Sequence, residues 1–203
     1  MKRLILIATS FLLCLSVTAQ EEKPIRWYHH FYVNDYVGLS VPMSPTLQTG
    51  YSIDLAGEYH LQMEDPFKGW AIGLRMNERS YSYTRQTIEE STLISANLEM
   101  IDFIAGVLYR LHPLKKCSFA FSAYGGMTVC SFPTVNAINE QINLTRFMPL
   151  AHAECAFEWY FYNYTGLSFS IGYTQHLVCS PFSPDLPHDG YLQVSLGLVS
   201  SFL

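Results

Sequence analysis

Carboxylates, arginines and histidines recur at alternate positions in several segments of this 203-residue chain. Charged groups that share a confined space must pair, because an unpaired buried charge costs several kcal/mol. Perturbed carboxylates can also act as acid and base, or line an ion path. We expect these side chains on one shared face: Asp54, Glu58, Arg75, Arg79, Glu99, Asp102, Arg110, His152, Glu154 and Glu158, with His60 and His176.

Catalytic and cofactor chemistry has little support beyond this set. His152 with Ser168 or Ser170 on a neighbouring strand could imitate a serine hydrolase, but these serines lie among many others on a polar face. No glycine-rich phosphate loop or HExxH motif occurs. The sequence therefore predicts no catalytic residue, metal site or cofactor.

The charged face belongs to segments that alternate apolar and polar residues. In the last one, Leu192, Val194, Leu196, Leu198 and Phe202 share one face, and Gln193, Ser195, Gly197 and Ser201 the other. This period of two is typical of half-buried β-strands. Eight such strands are predicted, starting near residues 34, 50, 68, 93, 117, 147, 165 and 191, which indicates an all-β, antiparallel up-and-down barrel.

The fourth strand changes phase. Leu98 and Met100 continue the apolar face at its start, but Ile101 and Phe103 continue it afterwards. A slip of one residue reverses every later side chain, so we predict a β-bulge near Met100 and Ile101.

The connections alternate in length. With the N-terminus in the periplasm, tight turns at 62–67, 112–116 and 163–165 are periplasmic. The outer loops are then 43–50, 80–92, 131–146 and 178–190. Aromatic residues on the apolar face gather at the periplasmic ends and predict an interfacial girdle: Tyr59, Trp70, Tyr109, Phe119, Trp159, Phe161, Phe169 and Phe202.

The alternative is a soluble, lipocalin-like barrel with its apolar face inward around a ligand. Composition favours a membrane barrel, because the chain has few lysines and its polar face carries small residues that suit a narrow lumen. Net charge of −5 gives no case for nucleic acid.

The first residues predict export. Lys2 and Arg3 precede an apolar run, and Ala19 ends a cleavage-like site, so we interpret 1–19 as a signal peptide, 20–33 as a periplasmic arm and 34–203 as the barrel. Cys130 and Cys179 lie near strand ends and could form a disulfide.

Several stretches resemble the PorT-like small outer-membrane β-barrel proteins of Gram-negative bacteria. These include Tyr36-Val37-Gly38-Leu39, Trp70 to Leu74, Asn97 to Leu111, and Ala123-Tyr124-Gly125-Gly126. That family commonly has a proline just after the acidic residue of the fourth strand, where Ile101-Asp102 stands here, and Phe202 is penultimate where an aromatic residue is usually terminal. The resemblance implies the outer membrane more than an activity.

We therefore expect a non-enzymatic outer-membrane barrel with a structural or accessory role, in contact with outer-membrane lipid. The alternative is a surface receptor or adhesin whose long loops bind another envelope protein or other partner, and the Pro181–Pro187 segment would shape such a loop. A small pore, a lipid-modifying barrel enzyme and the soluble carrier are less favoured.

Overall fold

Eight strands make up almost all of the described chain. The structure, a computed structural model, describes residues 30–43, 47–61, 68–86, 93–114, 116–135, 141–162, 165–177 and 190–201. Among these residues no helix is long and apolar enough to cross a membrane. The strands are β1 (Phe31–Pro42), β2 (Gly50–His60), β3 (Gly69–Gln86), β4 (Leu93–Leu114), β5 (Cys117–Val135), β6 (Gln141–Tyr162), β7 (Thr165–His176) and β8 (Tyr191–Ser201).

The sheet closes into an antiparallel barrel in which each strand pairs with its neighbours in the chain and β1 pairs with β8. The predicted eight-stranded up-and-down barrel is confirmed. Closure removes both sheet edges, so the barrel wall satisfies its own backbone hydrogen bonds. We call the end that joins β2 to β3, β4 to β5 and β6 to β7 the turn end, and the opposite end the loop end.

Pleat alternation sorts the side chains between the outer wall and the lumen. Leu196 on the outer wall is 55% exposed, whereas its neighbour Ser195 in the lumen is 2% exposed. The same division holds on other strands, where Val37, Leu74 and Phe103 lie outside. Large exposed apolar side chains therefore cover the outer wall, and the lumen is largely polar.

The predicted bulge in β4 is absent. β4 pairs with β3 from Leu93 to Arg110 without a shift, and with β5 from Glu99 to Leu111. Alternation therefore runs unbroken, so Met100 is fully buried and Ile101 is 37% exposed. The apparent phase change in the sequence of β4 therefore has another cause: its inward side chains near Leu98 and Met100 are apolar, whereas most of the lumen is polar.

Two predicted outer loops are mostly strand. β3 and β4 pair up to Gln86 and Leu93, and β5 and β6 up to Val135 and Gln141. Because β4 and β5 stop pairing at Glu99 and Ser131, each hairpin extends as a separate two-stranded ribbon. The predicted loops 80–92 and 131–146 thus shrink to connections of 87–92 and 136–140.

The barrel also starts earlier than predicted. Phe31, Tyr32 and Val33, assigned from the sequence to the arm, pair with β2 as the start of β1. The predicted signal peptide 1–19 and residues 20–29 of the arm lie outside the described residues, as does Cys179.

A tyrosine in the lumen depends on two paired glycines. Gly73 pairs with Gly106, which pairs with Tyr124 on the next strand. A Cβ on Gly73 would lie 2.9 Å from the Tyr124 hydroxyl, and one on Gly106 would lie 2.8 Å from its ring. The glycines leave room for the ring to lie across the strands.

Candidate functional site

The lumen contains three layers of ion pairs. The layer nearest the turn end centres on Arg110, which is fully buried. Its guanidinium donates to Glu158 at 2.7 Å and 2.6 Å and to Glu58 Oε2 at 3.0 Å. Ser118 and the Tyr160 hydroxyl also donate to Glu158, at 2.8 Å and 2.7 Å. We call Arg110, Glu58 and Glu158 the turn-end layer.

The middle layer repeats this arrangement around Arg75. Its Nε and Nη2 donate to both oxygens of Asp54, at 3.2 Å and 3.0 Å, and its Nη1 lies 2.9 Å from Glu154 Oε1. Gln193 donates to Asp54 and accepts a 2.8 Å hydrogen bond from Asn77. Arg75, Asp54 and Glu154 form the middle layer.

Both layers connect the same two strands. Asp54 and Glu58 project from β2, and Glu154 and Glu158 from β6, which is four strands away and therefore on the opposite side of the ring. Each arginine thus bridges a pair of carboxylates across the lumen. Such a charge network holds the walls together and fills the space through which a solute would pass.

The third layer, nearest the loop end, has fewer charges. Arg79 Nη2 donates to Asp102, and Thr128 donates to the other Asp102 oxygen at 2.7 Å. Thr128 also lies 2.9 Å from His176 Nε2, and the Arg79 guanidinium lies 4.5 Å above the Tyr191 ring. These five residues are the loop-end layer.

Apolar side chains cover this layer. Tyr81 stacks on Tyr191 with 5.1 Å between ring centroids, and Cys130 is fully buried beside them. We call this group the apolar cap, and its members are Leu47, Tyr81, Leu98, Met100, Cys130, Met148 and Tyr191. The sequence pattern did not reveal this cap, because inward apolar residues such as Leu98 and Met100 have the same polarity as outer-wall residues.

The structure contradicts one predicted lumen residue. Glu99 lies on the outer wall, because without a bulge it alternates with the inward-facing Leu98 and Met100. The other nine predicted residues lie in the lumen, where His152 is 3.8 Å from Glu154. His60, which contacts Arg110, and His176 also face inward.

The imagined serine and histidine pair does not form. His152 Nδ1 lies 2.8 Å from Thr174 Oγ1, its partner on β7. Ser168 donates instead to the Tyr36 hydroxyl at 3.4 Å, and Ser170 Oγ has no hydrogen-bond partner. Within the described ranges, no group of three His, Cys, Asp or Glu side chains is placed to hold a metal ion.

Aromatic residues of the predicted girdle occupy the outer wall towards the turn end. Trp70 packs on Tyr109 at 5.0 Å between ring centroids, and Trp159 lies 6.4 Å from Phe161. Phe119 contacts Phe157, a residue that the prediction omitted, at 5.3 Å. Tyr59 and Phe169 also lie on this wall, and Phe202 is outside the described residues.

Comparison with known proteins identifies the fold. No family model matches the chain, and no curated protein matches its sequence. Among solved structures, it is similar to Neisserial surface protein A, with a TM-score of 0.60, 9% identity, and coverage of 85% of this chain and 97% of that one.

Two further structures show the same likeness. One is Ail, the attachment invasion locus protein of Yersinia pestis, solved with the heparin analogue sucrose octasulfate (TM-score 0.53, 11% identity, 85% and 97% coverage). The other is a major outer membrane protein from Thermus thermophilus (TM-score 0.52, 11% identity, 85% and 99% coverage). The chain therefore has the fold of small outer-membrane β-barrels.

Proposed function

We propose that this protein is an integral outer-membrane β-barrel with a closed lumen and a structural or accessory, non-enzymatic role in the cell envelope. Its outer wall carries most of the large apolar residues and its lumen carries the paired arginines and carboxylates, the reverse of a soluble barrel. An apolar surface this extensive would be a liability in water, whereas lipid solvates it.

The observation that carries the proposal is the bridging of β2 to β6 by Arg75 and Arg110. Both guanidinium groups are buried and bind carboxylates on opposite walls. An eight-stranded barrel has a lumen just wide enough for side chains, so these bridges occupy its cross-section. This arrangement favours a closed scaffold over a pore, and the lipid-facing girdle favours contact with outer-membrane lipid.

Envelope fractionation and gel migration test the location. We expect the protein in the outer-membrane fraction, and we expect unboiled samples to migrate differently from boiled ones, as closed barrels do. Recovery in the soluble periplasmic fraction would contradict the proposal.

Planar-bilayer recording of the purified protein separates a closed scaffold from a pore. We expect no steady conductance, because the two arginine bridges fill the lumen. Steady channels that change when Glu154 is replaced by Gln would show that the lumen conducts.

Partner binding through the loop end is the second candidate, favoured by the two ribbons that extend beyond the closed barrel. The edge of the β3–β4 ribbon is partly covered by the chain itself, since the Gln48 backbone N–H donates to the Ser82 carbonyl at 3.0 Å. At least this ribbon is thus a braced projection, suited to a surface receptor or adhesin.

Shortening one ribbon tests this candidate. Replacing 133–143 by a two-residue turn should abolish cross-linking to a partner in native membranes and leave heat-modifiable migration intact. Deleting 181–187 provides a second, independent loop variant. Unchanged cross-links in both variants would count against partner binding at this end.

A further inference from the structure

Two buried polar atoms of the middle layer face each other without a hydrogen bond. His152 Nε2 and Glu154 Oε2 are 3.8 Å apart, and neither atom has a hydrogen-bond partner among the described residues. The His152 residue is 4% exposed and the Glu154 side chain is 6% exposed. A proton held between the two atoms would make one a donor and the other an acceptor, and so satisfy both.

The middle layer is also short of one positive charge. Among the described residues, Arg75 is the only arginine or lysine within ion-pair distance of Asp54 or Glu154. One guanidinium therefore faces two carboxylates, and one negative charge is left without a partner. Because all three side chains are buried, this charge strongly destabilises the layer unless it is neutralised. One bound proton would make the layer neutral.

Hydrogen bonding shows where that proton belongs. The two oxygens of Asp54 accept from Arg75 Nε and Nη2, and one of them also accepts from Gln193 Nε2. All of these partners are donors, so a proton on Asp54 would have no acceptor there. Glu154 instead has a free oxygen beside the imidazole of His152. Because imidazole is a stronger base than a carboxylate, the proton rests on His152.

The turn-end layer provides an internal comparison with the same charges and the same spacing. Arg110 faces Glu58 and Glu158, and His60 Nε2 lies 3.7 Å from Glu58 Oε2. There, however, His60 Nε2 also contacts the Arg110 guanidinium, which can only donate. That nitrogen therefore accepts a hydrogen bond and carries no proton.

Neutral donors disperse the extra negative charge of the turn-end layer instead. Asn34, Ser118 and Tyr160 all donate to its two carboxylates. In the middle layer, Glu154 Oε1 faces Arg75, and Oε2 has no donor among the described residues. The two layers thus neutralise the same excess charge in different ways, and only the middle layer needs a proton.

The charges around His152 favour its protonated form. The ionisable groups of the surrounding walls are Tyr36 on β1, Asp54 on β2, Arg75 on β3, Tyr124 on β5 and Glu154 on β6 itself. Tyrosine hydroxyls are uncharged near neutral pH, so the two carboxylates outweigh the single guanidinium. A positive charge on His152 is therefore stabilised from β2 as well as from its own strand.

We propose that the middle layer binds one proton on His152 at neutral pH, and that this imidazolium completes the bridge between β2 and β6. The proton comes from water and forms the Nε2–H bond, which donates to Glu154. Nδ1–H donates to Thr174 Oγ1, which lies 2.8 Å away. Loss of the proton leaves a negative charge in the middle of the lumen, so the closed barrel becomes less stable as the pH rises. The site would hold its proton whether the barrel is a scaffold or a receptor.

Nitrogen NMR of the histidine rings in the refolded full-length barrel tests the protonation state. At neutral pH we expect two protonated ring nitrogens for His152, assigned through its backbone amide, and one for His60. Glu154→Gln removes the extra negative charge, so the His152 ring should become neutral at the same pH. Glu58→Gln is the matched control in the turn-end layer and should leave His152 protonated. A neutral His152 ring in the unmodified protein, or an unchanged ring in Glu154→Gln, would overturn the proposal.

The pH dependence of unfolding provides a second measurement. A proton that the folded state binds and the unfolded chain does not makes the folding equilibrium constant fall up to about tenfold for each unit that the pH rises. We expect this fall above neutral pH in urea titrations of the unmodified protein, and we expect His152→Gln to lose it. His60→Gln should keep it, because His60 is neutral in the folded barrel. Equal pH dependence of His152→Gln and the unmodified protein would contradict the proposal.

Discussion

The turn-end half and the loop-end half of the lumen are filled by different kinds of side chain. Towards the turn end, Arg75 and Arg110 each bind two carboxylates from opposite walls, and neighbouring hydroxyl and amide groups add hydrogen bonds to the same carboxylates. Towards the loop end, one Arg79–Asp102 pair lies beneath the apolar cap and leaves several polar atoms unmet. The turn-end half is therefore held by charge pairs that cross the lumen, whereas the loop-end half is closed by apolar packing over a single ion pair.

Removing Arg110 should produce the largest effect. Arg110→Met leaves Glu58 and Glu158 buried without a counter-charge, so the free energy of unfolding should fall by about 3–5 kcal/mol. Urea titration of refolding in lipid vesicles measures it. Adding Glu58→Gln and Glu158→Gln to the same chain should recover most of the loss. A loss below about 1 kcal/mol would mean that this layer does not clamp the barrel.

The comparison of the two halves of the lumen holds only if the polar face of the strands points into the barrel and the apolar face points to lipid. Leu196→Arg places a charge on the lipid side and should cost about 2–4 kcal/mol near the midplane. Ser195→Ala, one residue away in the lumen, loses one hydrogen bond from Gln193 and should cost about 1 kcal/mol. Equal costs would indicate that the two faces are reversed.

Asp102→Asn probes the loop-end layer. Its carboxylate accepts from Arg79 and Thr128, and hydrogen bonds to charged groups contribute about 1.5–3 kcal/mol. The same urea titration should show a loss in this range. It should be smaller than that of Arg110→Met, because here one buried charge loses its partner, whereas Arg110→Met leaves two carboxylates without one. A larger loss than for Arg110→Met would remove the distinction between the halves.

Removing the hydroxyl of Tyr160 or of Tyr191 should give the smallest changes in the free energy of unfolding, and the two changes should differ. Tyr160→Phe deletes a hydroxyl that donates to Glu158 at 2.7 Å, so stability should fall by about 1.5 kcal/mol. Tyr191→Phe deletes a hydroxyl that has no hydrogen-bond partner, so its stability should stay the same or rise by up to about 1 kcal/mol. A clear loss for Tyr191→Phe would show that its hydroxyl has a partner within the protein.

Period-two alternation in the sequence was enough to predict the number of strands, the antiparallel barrel and the faces of most predicted strands, except the start of β4. These properties are local, because the pleat places successive side chains on opposite faces whatever the neighbouring strand contains. The same rule shows why Glu99 was misassigned. The inward-facing Leu98 and Met100 looked like outer-wall residues, and polarity alone cannot distinguish an apolar lumen from a lipid-facing wall.

Pairing across the barrel was decided only in the tertiary structure. The sequence contains the arginines and carboxylates, but that Arg110 joins Glu58 to Glu158 depends on β2 and β6 lying on opposite sides of a closed ring. The ribbon lengths depend in the same way on where neighbouring strands stop pairing. Strand register and barrel closure bring together residues that are far apart in the chain. The period-two pattern within one strand does not determine which residues of other strands they will meet.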